Sequence, residues 1–138
     1  MEPEMTDAAA LSGFVAMVPF ARHLDFKLLR CDSEAAIVEV VLTPECCTAG
    51  GTAHGGFLMT LADFTGAAGA YAVLPPSARS TTTIESKTNM MAAAPAGTLL
   101  RATATPLHIG RRTSVWTTRV ETPEGKLVSV TTQTQMVL

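Results

Sequence analysis

Residues 50–76 read GGTAHGGFLMTLADFTGAAGAYAVLPP, and how this stretch is read decides the fold. From residue 57 to residue 74 a single carboxylate, Asp63, interrupts an otherwise uncharged run of small and apolar residues. The run reaches the minimum for a membrane span, roughly 17 to 25 residues. Ala, Gly and Thr dominate it, however, and an Asp near a bilayer centre costs roughly 2.5 to 3.5 kcal/mol on insertion scales. A helix buried inside a protein, over about 55–74, is the better account. Pro75 and Pro76 end it, because proline can neither continue a helix nor donate to it.

Working outward, PECCTAGGTAHGG before the helix reads as an irregular loop rich in Gly and small residues. Before that, FKLLRC and AAIVEVVLT are apolar, partly β-branched runs separated by the turn-like DSE, which predicts a hairpin across roughly 25–43 stopped by Pro44. Residues 5–18 suit a short helix, with Thr6 or Asp7 placed to cap it and Pro19 ending it. After the long helix come four strand-like segments, about 79–91, 98–109, 111–122 and 126–137, punctuated by APAG, HIG and TPEG. SVWTTRVE and LVSVTTQTQMVL alternate, as in an antiparallel sheet with one face covered. The predicted class is α+β: one long central helix among six antiparallel strands, covered on all sides only if the curved sheet wraps it. Gly66, Ala67, Gly69 and Ala70 allow that close approach. We expect one domain over 1–138.

The chain has 138 residues, enough for one domain with a real core, whereas two independent domains would each be marginal. Hydrophobic residues make up 47% and charged residues 16%, which predicts extensive burial, including at a subunit interface. A formal charge of -2 with scattered basic residues argues against a nucleic-acid partner. The one adjacent basic pair is Arg111 and Arg112. Three cysteines, Cys31, Cys46 and Cys47, are an odd number, and neighbours in sequence seldom meet disulfide geometry. With an acidic N-terminus unlike a signal peptide, this leads us to expect a cytoplasmic protein with no membrane partner.

Two features carry chemistry. His54-Gly55-Gly56 stands where loop becomes helix, and the first helical N–H groups together with the helix dipole can hold an oxygen gaining negative charge. The bland reading is a tight turn with His54 capping the helix. Asp63 is the second feature: burial on an apolar helix would raise its pKa and suit it as a general base for water, or as a nucleophile. The bland reading is a partly exposed Asp, or one satisfied by hydroxyls; Thr60 and Gly66, three residues either side, share a small, polar helix face with it. Gly55 and Asp63 lie eight residues apart, roughly 12 Å along a helix, whereas reacting groups must meet within about 3 to 3.5 Å. If they cooperate, Asp63 must come from a second copy across a two-fold axis.

Other constellations are weaker. A Cys47/His54 nucleophile pair has no sign of a lowered thiol pKa behind it. His23, His54 and His108 lack metal-ligand spacing, so no metal is expected, and no Gly-x-Ser-x-Gly elbow is present. Arg111, Arg112, Lys87 and Arg101 could meet phosphates or simply solvate strand surfaces. Met59, Met90 and Met91 could line a pocket, although core packing is the default for Met.

AHGGFLMTLAD resembles the His-Gly-Gly-x4-Leu-x-Asp signature of the hotdog-fold acyl-CoA thioesterases, in the PaaI-like branch of the 4-hydroxybenzoyl-CoA thioesterase superfamily. PFARHLDFKLL, EAAIVEVVLTPE, TTTIESKTNMMAAAPAG and GRRTSVWTTRVETPEGKLVSV resemble the family's strands, so the likeness covers nearly the whole chain. It implies a hotdog fold and a homo-oligomer, a dimer or dimer of dimers, acting on acyl-CoA with no cofactor beyond the substrate's own CoA. By position, Gly55 would offer its amide to the thioester carbonyl, His54 would support the loop or lie near the sulfur, and Asp63 of the other subunit would activate water or attack. Thr83 falls where these enzymes place a Ser or Thr that holds the water or substrate, and Arg111, with Arg112, matches the Gly-Arg turn. Where better-studied members carry an Asn six residues before the His, this chain has Thr48, and MMAAAP replaces their aromatic-Leu-Arg-Pro-like run. The resemblance thus implies thioester hydrolysis. The alternatives are a non-catalytic acyl-CoA-binding module, motivated by Thr48, and an acyl-thioester dehydratase or hydratase, which would use a His-centred pair.

Overall fold

The computed structural model describes Met5 and residues 7–138. Asp7 starts α1 (Ala8–Ala16) by accepting the Ala10 N–H at 2.8 Å, satisfying one of the donors that a helix start leaves unpaired. Thr6, the other cap candidate, lies outside the described residues. Pro19 follows α1 and also opens α2 (Pro19–His23) as its first residue, where a missing N–H costs nothing. From the sequence, Pro19 shows only as the stop of α1. The hairpin forms as expected, from β1 (Lys27–Cys31) and β2 (Ala36–Val41). In its turn Asp32 Oδ1 accepts the N–H groups of Glu34 and Ala35, and the hydrogen-bonded Arg30 guanidinium holds the Asp32 carboxyl below the usual carboxylate range.

A 3-10 turn at Pro44–Cys46 then interrupts the segment read as wholly irregular. The long helix α3 spans Gly55–Ala72, and β3 (Thr81–Met90), β4 (Leu99–Ile109), β5 (Thr113–Glu121) and β6 (Leu127–Val137) follow. All pairings are antiparallel, in the order β1-β2-β4-β5-β6-β3. Four of the five pairings shift register, at Leu28/Arg30, Thr83/Glu85, Pro106/His108 and Val120/Glu121. Each irregularity bends its strand and adds twist, which curls the sheet around α3. This is the α+β wrapped-helix architecture of the hotdog fold.

Leu58, Leu61, Phe64 and Ala68 of α3 pack into one cluster with Val38, Leu100, Trp116, Val120 and Val128 of the strands. The helix can come this close because of two glycines. A Cβ on Gly69 would fall 2.6 Å from Trp116 Cζ3, and one on Gly66 would fall 2.6 Å from Gln133 Cδ. Ala70 is buried as well, whereas Ala67 is only half-buried and belongs to the open side of the helix. That side is a stripe of Gly56, Met59, Thr60, Asp63, Ala67 and Tyr71, none of them buried, at the spacing of one helix face. No helix among the described residues is long and apolar enough to cross a membrane.

A Gly69→Ala substitution places a methyl inside the Trp116 ring contact. Overpacking of this kind should cost about 1 to 3 kcal/mol, measured as a lowered urea midpoint with little change in m-value.

Candidate active site

Two separate segments of the fold hold the His-Gly-Gly loop. Ala53 N–H donates to Ala94 O at 2.9 Å and His54 N–H donates to Cys46 O at 3.0 Å, so the loop is tied to the 3-10 turn on one side and to the approach to β4 on the other. His54 then caps α3: its Nδ1 accepts the Gly56 N–H at 2.8 Å. An accepting Nδ1 carries no proton, which leaves the proton of the neutral ring on Nε2. The structure thus shows His54 as the cap of α3, the bland reading of its place in the sequence. Gly55 is the first helical residue, and among the described residues its N–H has no acceptor. Its missing Cβ leaves space bounded by Met90, whose Cε would sit 3.0 Å from such a methyl.

Beside this helix start opens a cavity of about 350 Å³ with Phe20, Leu24, Cys46, Cys47, His54 and Phe57 among its walls. Phe20 and Leu24 arrive through α2, the element not anticipated from sequence. Thr48 is not part of this wall. It is exposed at the head of a tight turn, where its N–H donates to Thr52 O at 2.7 Å and its carbonyl accepts from Gly51. Gly50 and Gly51 take positive φ there, 90° and 78°, and this turns the chain away before it returns to His54. A larger cavity, about 560 Å³ between α1 and β1, contains none of the candidate residues.

Asp63 is half-buried and held from the sheet. Thr83 Oγ1 donates to Asp63 Oδ1 at 2.7 Å, while Gln133 Nε2 lies 3.4 Å from the same oxygen and 3.3 Å from the Asp63 carbonyl. Gln135 Nε2 donates in turn to Thr83 Oγ1. The expected face shared by Thr60, Asp63 and Gly66 is only partly realised: Thr60 flanks Asp63 on the open stripe, but Gly66 turns to the sheet against Gln133. Gln133 and Gln135 escaped the sequence reading. The signal available was the polar run TTQTQ, which places amides at every second position of a strand whose other face also carries threonines.

The arginine pair is exposed in the turn between β4 and β5, and among the described residues neither arginine is ion-paired. Thr113, the next residue, pairs with Met136, which pairs with Thr82. Arg112 therefore lies at the same sheet end as Thr83, about 10 Å across two strand spacings. Arg101 is engaged elsewhere, with Nε and Nη2 on Glu39 Oε2 at 2.8 and 2.7 Å. Lys87 is exposed on β3, and Met59, Met90 and Met91 are exposed as well, outside the cavity. Among the described residues no three His, Cys, Asp or Glu side chains gather as a metal site would require.

The thiols differ. Cys46 and Cys47 are half-buried beside the cavity, where Cys47 Sγ donates to Thr43 O at 3.5 Å. Cys31 is buried against Ala68 O, and burial, reinforced by Asp32, pushes its thiol up to about 12.

A wrapped helix, an open helix start beside a cavity, and a carboxylate on the same helix make up the candidate site, and comparison with known proteins gives the family. The family model described as the thioesterase superfamily matches residues 50–129. No curated protein matches the chain. Among solved structures, a variant of the phenylacetic acid degradation protein PaaI from Thermus thermophilus is 30% identical, with 87% of this chain and 99% of that one covered and a TM-score of 0.79. A mutant thioesterase from Pseudomonas aeruginosa is 21% identical over 99% and 97% of the two chains, TM-score 0.88. A hypothetical thioesterase from Streptococcus pneumoniae, solved with coenzyme A, is 23% identical over 82% and 85%, TM-score 0.75. The chain belongs to the thioesterase superfamily, as a PaaI-like hotdog protein.

The thiol environments predict a reactivity order. A small alkylating reagent at neutral pH should modify Cys46 and Cys47 while Cys31 reacts only on unfolding, as read by mass spectrometry. The raised Cys31 thiol also gives stability a sign: above about pH 9 the unfolded thiol loses its proton while the native one keeps it. Native chains then bind more protons, so stability should fall as pH rises from about 9 toward about 12, where the native thiol also titrates. A Cys31→Ala variant should lack that component in a pH series of urea melts.

Proposed function

We propose that the protein hydrolyses the thioester of an acyl- or aryl-acyl-CoA to the free acid and CoA, with Asp63 activating water and the Gly55 N–H polarising the carbonyl. The carrying observation is an Asp63 carboxylate anchored through one oxygen on a helix whose first amide, at Gly55, is unblocked. Family membership and the coenzyme A bound to the Streptococcus pneumoniae neighbour support the substrate class.

In this reading water attacks the thioester carbonyl as its proton passes to Asp63. The oxygen of the tetrahedral intermediate takes negative charge and is met by the Gly55 amide and the positive end of the α3 dipole. The intermediate collapses, the C–S bond breaks, and the proton on Asp63 passes to the departing sulfur. His54 holds the loop, Thr83 holds the carboxylate, and Arg111 and Arg112 meet the phosphates of CoA, where guanidinium forks suit phosphate oxygens.

The separation along α3 makes the centre a shared one. Eight residues at 1.5 Å rise keep Gly55 and Asp63 of one chain roughly 12 Å apart, so the pair that meets one carbonyl comes from two copies. Among the described residues two surfaces are uncovered and support such a homodimer: the open α3 stripe carrying Asp63, and the edge of β3, where Ile84 and Met90 are 52% and 48% exposed. Long edge strands with apolar side chains are sites of pairing with another chain. One observation favours a second reading, a non-catalytic acyl-CoA-binding module: Thr48 lies outside the cavity wall and offers no side chain to the carbonyl there.

The deciding measurement is thiol release over aryl-, short-, medium- and long-chain acyl-CoAs. Asp63→Asn should lower kcat by about 100- to 10,000-fold, the usual weight of a general base, with folding and acyl-CoA binding retained. Near-normal turnover by that variant would sink the Asp63 mechanism, and saturable binding with no thiol release from the unmodified protein would establish the binding module.

A further inference from the structure

We propose that Gln133 and Gln135 of β6 are positioning residues that, with Thr83, fix one oxygen of Asp63 and leave Oδ2 as the reactive one. The proposal rests on the reading of Asp63 as the base. Its grounds are the direction and convergence of four hydrogen bonds.

The chain of bonds starts at Thr81, whose Oγ1 lies 3.0 Å from Gln135 Oε1 and 3.1 Å from the carbonyl of Met136. Both partners are acceptors, so Thr81 is the donor. The Gln135 amide lies with its carbonyl toward Thr81, whose single proton is shared with the Met136 carbonyl, and its Nε2 donates to Thr83 Oγ1. A hydroxyl that accepts from Gln135 has its own proton free for the next link, and Thr83 donates it to Asp63 Oδ1 at 2.7 Å. Each link runs one way, and the last demands an acceptor, which an ionised carboxylate supplies. Gln133 Nε2 approaches the same Oδ1 at 3.4 Å and the Asp63 carbonyl at 3.3 Å. Among the described residues no side chain bonds Oδ2.

The placement of these groups is built into the strands. Gln133 and Gln135 are two residues apart, so both face α3, and both are fully buried. Thr83 faces inward with them, as does Thr88, which bonds Thr131. Thr83 and Thr88 are an odd number of residues apart, and both can face inward only because of the irregularity between Thr83 and Glu85. Gly66 leaves room for the Gln133 amide, whose Oε1 is buried without a partner among the described residues. An unpaired buried acceptor is a cost that an apolar side chain would avoid. The other end of the amide, Nε2, is the one that reaches Asp63.

The test measures kcat, KM and thermal midpoint for Gln135→Met, Thr83→Val, Thr83→Ser and the double variant Thr83→Val/Gln135→Met, with Asp63→Asn as reference. Gln135→Met and Thr83→Val should each lower kcat by about tenfold or more with KM within about twofold, while Thr83→Ser stays within about threefold of the unmodified protein. The double variant should be no slower than Thr83→Val, since both act through one hydroxyl. If Gln135→Met does not fold, the Thr83→Val and Thr83→Ser pair, differing chiefly in the hydroxyl, carries the test. Unchanged kcat in Thr83→Val beside an inactive Asp63→Asn overturns the relay and spares the Asp63 reading. A raised KM with unchanged kcat puts Thr83 on substrate and overturns it as well. An active Asp63→Asn removes the reading on which the relay rests.

Discussion

The contact on which the rest of this structure depends is the one between α3 and the strands β5 and β6, made without a Cβ on either Gly66 or Gly69. Trp116 and Gln133 lie where those methyl groups would be. Protein interiors are packed to crystal-like density, so the two side chains cannot move aside cheaply. The helix is therefore drawn down onto the sheet, and the sheet must bend to cover it. Register shifts in four of the five pairings supply that bend. Apolar packing stabilises one part of the contact, where Trp116 meets Gly69. The other part, one helical turn away, is polar and brings the Gln133 amide to Asp63.

The same contact divides α3 into two faces with different tasks. The covered face carries Leu58, Leu61, Phe64 and Ala68 into the core, while the open stripe carries Thr60 and Asp63. At the start of the helix, the loop is tied to Cys46 and Ala94 and capped by His54, so the free amide of Gly55 is held still. Preorganised donors of this kind stabilise developing charge without reorganising when it appears. Gly55 and Asp63 are thus each held by contacts within the fold, and the helical rise keeps them roughly 12 Å apart along α3.

Much of this was legible beforehand for a definite reason. The lone carboxylate in an Ala/Gly-rich run, the double proline after it and the alternating strands are local signals, and α3, β4, β5 and β6 formed within two residues of the expected bounds. Asp7 capped α1 because capping depends on neighbours three residues away. The unread features depend on distant partners. Pro19 could be seen to end one helix but not to open the next, since α2 exists by packing Ala21 into the core beside β1. Thr48 sits six residues before His54, yet positive φ at Gly50 and Gly51 carries it out of the cavity wall. Arg101 is occupied by Glu39, a residue 62 positions away.

By itself, then, the sequence determined the order of elements, the buried helix and the identity of its carboxylate, because hydrophobic period, proline and glycine act within a few residues of where they stand. It also determined the spacing of Gly55 and Asp63, roughly 12 Å along α3, since the helical rise is fixed. Only the tertiary structure decided what surrounds Asp63. The strand irregularity beside Thr83 and the inward amides of Gln133 and Gln135 come from register between β3 and β6, whose paired residues are 39 to 56 positions apart in the chain. A one-residue slip would turn those side chains to the other face. No local pattern specifies such a register; it is chosen by the packing of the whole sheet against α3.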